Sequence, residues 1–176
     1  MGKAKRPSAG AVLPDFLYLG PASAASDISF LRAQRITTII SIGKTPPRKY
    51  DCVSTDDGTQ QITYHRLSLE DKESADIGKC VDAVCGILDA ASSDGGRVLV
   101  HCSAAISRSP AVVAGYLIRR RGLSLEDGLQ ALRAARSVVA PNRGFLEQLQ
   151  KMEAEQLNRD EGRGEEGGGQ SKVDQD

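Results

Sequence analysis

His101-Cys102-Ser103-Ala104-Ala105-Ile106-Ser107-Arg108-Ser109-Pro110 is the stretch on which the reading of this chain turns. Ahead of it, Arg97-Val98-Leu99-Val100 reads as a buried strand, introduced by the turn signal Asp94-Gly95-Gly96. Behind it, Ser109 is the expected helix N-cap, and Pro110 takes the first helical position, where proline is favoured. The helix should run through Ala111, Val112, Ala114, Tyr116, Leu117 and Ile118, with Gly122 as its stop. Strand, loop and helix together set Cys102 at the base of a loop that ends on a helix N-terminus. Unpaired N–H groups and positive partial charge at such a terminus attract an anion and favour a thiolate. Cys102 is therefore read as a nucleophile, and Arg108 as the cation that grips the anion it attacks.

A bare Cys-x5-Arg spacing is weak evidence. Here the cysteine follows one of the two histidines of the chain, and the arginine precedes a hydroxyl residue. A structural cysteine packed after an apolar strand would need neither Arg108 nor Ser109. The phosphate cradle is the better account.

Working outward, short apolar runs at residues 16–19, 36–42, 62–67 and 98–100 are expected strands. Helices are expected over residues 26–34, and from Ile77 onward with Val81, Val84, Leu88 and Ala91 inward. Asp76 is read as the cap of that second helix. Ser124-Leu125-Glu126-Asp127 opens another helix. Pro141-Asn142 breaks it, and a last helix buries Phe145, Leu146, Leu149 and Met152. Alternation of this kind implies an α/β fold, a mixed, largely parallel central sheet flanked by helices, with the site at the C-terminal strand ends.

The motif His101-Cys102-x5-Arg108-Ser109 resembles the signature of the cysteine-dependent protein tyrosine phosphatases, and the chain resembles their small, atypical dual-specificity members. The likeness extends to residues 12–20, similar to that family's opening strand, and 36–41, similar to its second. Gly115-Tyr116-Leu117 and residues 141–149 continue it. One position departs: the family usually carries glycine three residues after the nucleophile, and here it is Ala105. If the backbone there is unusual, alanine strains the loop by about 1–3 kcal/mol.

The resemblance implies hydrolysis of phosphate monoesters on phosphotyrosine proteins, with phosphoserine and phosphothreonine also accepted, through a cysteinyl-phosphate. The alternative is a phosphoprotein-binding pseudophosphatase impaired by Ala105. Ser103, Ala104, Ala105, Ile106, Ser107 and Arg108 would bind the phosphoryl group, Ser109 would stabilise the departing thiolate, and His101 would support the cysteine. The general acid is expected in the segment from Leu69 to Asp76, and Asp71 matches the family's position; Glu70 and Glu73 are read as solvated. No metal or other cofactor is expected, since the two histidines lie far apart.

The chain has 176 residues, enough for one domain with a substantial core. Residues 1–11 are read as a flexible segment, 12–154 as the catalytic domain, and 155–176 as a disordered, acidic, Gly-rich tail. Net charge is zero, so nothing global favours nucleic acid or an anionic membrane. No apolar stretch approaches the roughly twenty residues of a membrane span. Met1-Gly2 is followed by Arg6 where a myristoylation signal has Ser or Thr. Four cysteines and no signal peptide are expected of a reducing, cytoplasmic setting, with the nucleus as a second location. Cys80 and Cys85 are read as core residues. Arg119-Arg120-Arg121 suits a helix C-terminus, and Lys44, Arg48 and Lys49 beside Pro46-Pro47 are candidate rim charges. The partner is thus a phosphorylated protein.

Overall fold

The structure is a computed structural model, and it describes residues 9–43, 52–55 and 58–165. The elements are β1 (Gly10–Leu13), β2 (Leu17–Pro21), a 3-10 turn (Ala24–Ser26), α1 (Ile28–Ala33), β3 (Thr38–Ile42), β4 (Cys52–Thr55), β5 (Gly58–Gln61) and β6 (Thr63–Leu67). After them come α2 (Gly78–Ser93), β7 (Val98–Cys102), α3 (Arg108–Arg121), α4 (Leu125–Ala135) and α5 (Arg143–Glu165). The main sheet has the order β1-β2-β7-β3-β6. β7 is its centre, parallel to β2 and β3, while β1 is antiparallel to β2. This is the expected mixed, largely parallel α/β architecture.

Alternation along the central strands divides the core into two layers. Ile40, Ile42, Val98, Val100 and Cys102 face α2, α3, α4 and α5. Ile39, Leu99 and Tyr18 face the other way, onto Phe30 and Leu31 of α1. All five residues of β7 are buried, which is why the strand reads as an unbroken apolar run rather than an alternating one. Its C-terminal end therefore brings Cys102 out of the middle of the sheet into one fixed place.

Several boundaries differ from those expected. The opening strand over residues 12–20 is two antiparallel strands, because Pro14 cannot continue a strand and Asp15 adopts φ +59° in the turn. Residues 9–11, expected within a flexible segment, are ordered: Ala9 is buried, and Gly10 opens β1. The helix over 26–34 is shorter, starting at Ile28 under Asp27, whose Oδ1 accepts from the Phe30 amide at 3.1 Å. The β4–β5 hairpin was not expected at all. α2 begins one residue late, yet Asp76 serves its start, with Oδ1 accepting from the Gly78 amide at 2.7 Å. The Ser124 cap is as read, accepting from the Asp127 amide at 3.1 Å. α5 continues to Glu165, so residues 155–165 are helix rather than tail; their Glu, Gln and Arg content suits a solvated helix as well as it suits a coil.

Candidate active site

The cradle is the loop between β7 and α3, and its helix starts earlier than the sequence implied. Arg108 is the first residue of α3, with Ser107 in the N-cap position. Ser109 is thus inside the first turn, not its cap, and Pro110 follows where its missing N–H costs nothing. The shift has a chemical reason. The Ser109 hydroxyl, fully buried, donates to Cys102 Sγ at 3.1 Å rather than capping the helix by accepting from a backbone amide.

Three carbonyls of the loop are held outward by donors from other elements. Ser103 O accepts from the Ala22 amide at 3.2 Å and Ile106 O from the Ala140 amide at 2.8 Å. Ala104 O accepts from Arg136 Nη2 at 3.5 Å. In a trans peptide the N–H opposes the C=O, so the amides of Ala104, Ala105 and Ser107 are turned the other way. That side is where an anion on the helix N-terminus would sit. Ala105 has φ +56° and is fully buried. The loop therefore demands the left-handed conformation that glycine usually supplies, and alanine adopts it at a cost of about 1–2 kcal/mol.

Arg108 lies over the cradle. Its Nη2 donates to Ser103 Oγ at 3.0 Å, and its Nε lies 3.9 Å from Asp71 Oδ2. Gly43, at the end of β3 with φ +95°, receives the guanidinium: a Cβ there would overlap Arg108 Nη1 and lie 3.0 Å from the Leu69 carbonyl. The sequence reading missed Gly43. Nothing near it in sequence says that an arginine 65 residues later will pack against its backbone.

Asp71 reaches the same place from the loop after β6. Its Oδ1 accepts from Ser107 Oγ at 2.7 Å and from Asn142 Nδ2 at 3.0 Å. Two donors occupy Oδ1, and Oδ2 faces Arg108. Asn142 was read only as a helix breaker. It has three further jobs in one residue: Oδ1 caps α5 through the Phe145 amide (3.0 Å), Nδ2 holds Asp71, and its own amide donates to Ser107 Oγ (3.1 Å).

Other charged and thiol groups sort themselves out. Burial lowers the His101 imidazole below its usual range, opposed by a hydrogen bond with the Cys102 backbone. Burial likewise raises the Cys80 and Cys85 thiols, which sit in the α2 core as expected. Arg119 pairs with Asp82 and Arg120 with Asp89, and Arg121 lies 6.0 Å from the Phe16 ring centroid and 5.8 Å from that of Tyr116. These arginines are engaged with the fold. Glu70 pairs with Lys72 at the surface. Lys44, Arg48 and Lys49 lie outside the described residues. No described helix is long and apolar enough to cross a membrane.

Comparison with known proteins agrees with this geometry. The family model for the dual specificity phosphatase catalytic domain matches residues 17–155. Dual specificity protein phosphatase 5 of Rattus norvegicus is 34% identical over 146 residues, 83% of this chain and 36% of that protein. Dual specificity protein phosphatase 1 of Homo sapiens is also 34% identical, over 83% of this chain and 37% of its own length. The chain thus spans little more than a third of the curated relatives it matches. Among crystal structures, human DUSP28 superposes with a TM-score of 0.74 at 30% identity, covering 89% of this chain and 99% of that one. The human tyrosine phosphatase-like serine/threonine/tyrosine-interacting protein gives 0.75 at 31% identity, covering 86% and 99%. With the cradle, its arginine and its tethered aspartate in one place, and a family match over most of its length, the chain belongs to the dual specificity phosphatase catalytic-domain family.

Proposed function

We propose that the chain hydrolyses phosphate monoesters on phosphotyrosine proteins, accepting phosphoserine and phosphothreonine as well, through a cysteinyl-phosphate. The observation that carries the reading is the convergence of Cys102 at the end of β7, Arg108 and Ser109 at the start of α3, and Asp71 from the loop after β6. Arg108 and the loop amides hold the non-bridging oxygens, where charge builds in the transition state. The Cys102 thiolate attacks phosphorus; an S–P bond forms, the P–O ester bond breaks, and Asp71 Oδ2 gives its proton to the leaving oxygen. In the second step Asp71 takes a proton from water, the resulting oxygen bonds to phosphorus, and the S–P bond breaks. Phosphate leaves, and the thiolate is restored against the Ser109 hydroxyl.

Every group in this cycle is supplied by the chain, so no metal or cofactor enters it. A thiol nucleophile also fits a reducing compartment, and we place the protein in the cytoplasm, with the nucleus as a second location. Turnover of a small aryl phosphate should persist in EDTA and be blocked by vanadate or thiol alkylation. Activity that requires a divalent metal, or that survives in Cys102→Ser, would overturn the mechanism. Phosphopeptide binding without turnover would replace hydrolysis with a binding role.

A further inference from the structure

Asp71 sits on a segment with little packing of its own. Between the buried residues Leu69 and Ile77, none of residues 70–76 is buried, so apolar contacts do not set where the carboxyl group stands. The segment lies instead along the start of α5. Gly144 meets it backbone to backbone: a Cβ at that position would overlap the Glu73 carbonyl. One helical turn further on, Gln148 reaches it with both ends of a single carboxamide. Its Nε2 donates to the Ala75 carbonyl at 2.8 Å, and its Oε1 accepts from the Ile77 amide at 3.0 Å. Residues four apart share a helix face. Phe145 and Leu149, both fully buried, hold the adjoining face of α5 in the core.

We infer that Gln148 is a positioning residue for Asp71: its carboxamide anchors the acid-bearing segment to α5 and so holds the proton donor at the cradle. The inference rests on the hydrolytic reading above and concerns the same site. The residue type is the one the position requires. Ala75 presents an acceptor and Ile77 a donor, and a carboxamide answers both on one planar group, whereas a carboxylate cannot donate and an ammonium or guanidinium cannot accept. Ile77 is fully buried at the N-cap position of α2, so loss of Gln148 would leave its amide unpaired and away from water. The division of labour is clear from the partners. Ser107 and Asn142 grip the Asp71 carboxylate itself, while Gln148 grips the main chain four and six residues further on.

Gln148→Met keeps the length of the side chain and removes both hydrogen bonds. It should lower kcat for phenyl phosphate, whose leaving group needs a proton, about tenfold, the rate equivalent of one hydrogen bond. KM, and turnover of dinitrophenyl phosphate, whose leaving group needs none, should stay within about twofold. In an Asp71→Asn background the same substitution should cost nothing further on either ester, because a residue that acts through the acid has nothing left to act on. Deuterium exchange, which requires no turnover, should be faster over residues 70–77 in Gln148→Met and unchanged in β7. A wild-type leaving-group pattern in Gln148→Met overturns the inference, as do equal losses on both esters, losses that add to those of Asp71→Asn, or unchanged exchange across the segment. If Gln148→Met does not fold, Gln148→Glu, which keeps the acceptor for the Ile77 amide and loses only the donor, carries the same comparison. A wild type without turnover, or an Asp71→Asn protein with the wild-type pattern, overturns the hydrolytic reading instead, and exchange alone then decides whether Gln148 anchors the segment.

Discussion

The Ser107 hydroxyl donates to Asp71 Oδ1 at 2.7 Å, tying the loop between β7 and α3 to the loop that carries Asp71. One residue thus joins both halves of the proposed mechanism. If Asp71 is the acid, Asp71→Asn should slow a phosphate ester with a poor leaving group by about 10²–10⁴-fold and spare one with a good leaving group. Ser107→Ala should show the same leaving-group pattern at smaller amplitude, because the acid remains and only its tether is lost. Asp76→Asn should leave the pattern alone, since Asp76 serves the start of α2. A leaving-group plot over substituted phenyl phosphates measures all three. A wild-type slope in Asp71→Asn would remove Asp71 from the mechanism.

Gly43 is where the position of Arg108 is decided from outside the signature loop. Gly43→Ala inserts a methyl into the space of the guanidinium. The arginine, as a flexible side chain, moves more easily than the backbone, so the fold should survive with a cost of about 1–2 kcal/mol for the left-handed backbone. Recognition should not survive as well: loss of a bidentate charged contact corresponds to roughly 10²-fold in kcat/KM. Vanadate affinity should weaken in parallel, and Tm should shift by a few degrees. Normal vanadate binding in a folded Gly43→Ala protein would show that the guanidinium does not use this space.

Ala105 sets strain against packing. Replacing it with glycine relieves about 1–2 kcal/mol of left-handed strain. It also removes a fully buried methyl worth about 0.8 kcal/mol and loosens the unfolded chain by about 0.4–1 kcal/mol. The two sides nearly cancel, so Ala105→Gly should change stability by less than about 1 kcal/mol. Its effect on kcat/KM should be a gain of severalfold, because the strain acts on the loop that must close on phosphate. Ala105→Val should fail on both counts, being β-branched at φ +56° with no room around it. Equal rates for alanine and glycine would mean that the outward ties on the loop carbonyls already absorb the strain.

The sheet and the strand–loop–helix unit that carries Cys102 and Arg108 were legible because both are written locally. Val98–Val100 is a continuous apolar run, and Cys102, Arg108 and Ser109 fall within eight consecutive residues. The tether between Asp71 and Ser107 spans 36 positions, and that between Asp71 and Asn142 spans 71. No periodicity encodes such meetings; they exist only once α5 is packed beside the acid loop. Gly43 was hidden for the same reason. The Ser109 cap failed because a hydroxyl can accept from a helix amide or donate to a sulfur, and local propensity sees only the first role. The tail boundary failed because Glu, Gln and Arg residues mark solvation and do not distinguish a solvated helix from a coil.

The Ser109–Cys102 contact yields the most direct kinetic signature. The hydroxyl donates to the sulfur at 3.1 Å and has no exposure to water, so no solvent donor can replace it. In the proposed second step sulfur is the leaving group as the S–P bond breaks, and its developing charge is what the hydroxyl would stabilise. A hydrogen bond to a charged partner contributes about 1.5–3 kcal/mol, or roughly 10–150-fold in rate. Ser109→Ala should therefore make breakdown of the cysteinyl-phosphate rate-limiting. Rapid mixing should show a burst of aryl product equal to the enzyme concentration, followed by slow steady turnover. Acid-quenched protein should carry phosphate on Cys102 by mass spectrometry. The substitution changes little volume in a fully buried site, so Tm should move only slightly. A variant that turns over at the wild-type rate without a burst would show that the thiolate leaves unaided.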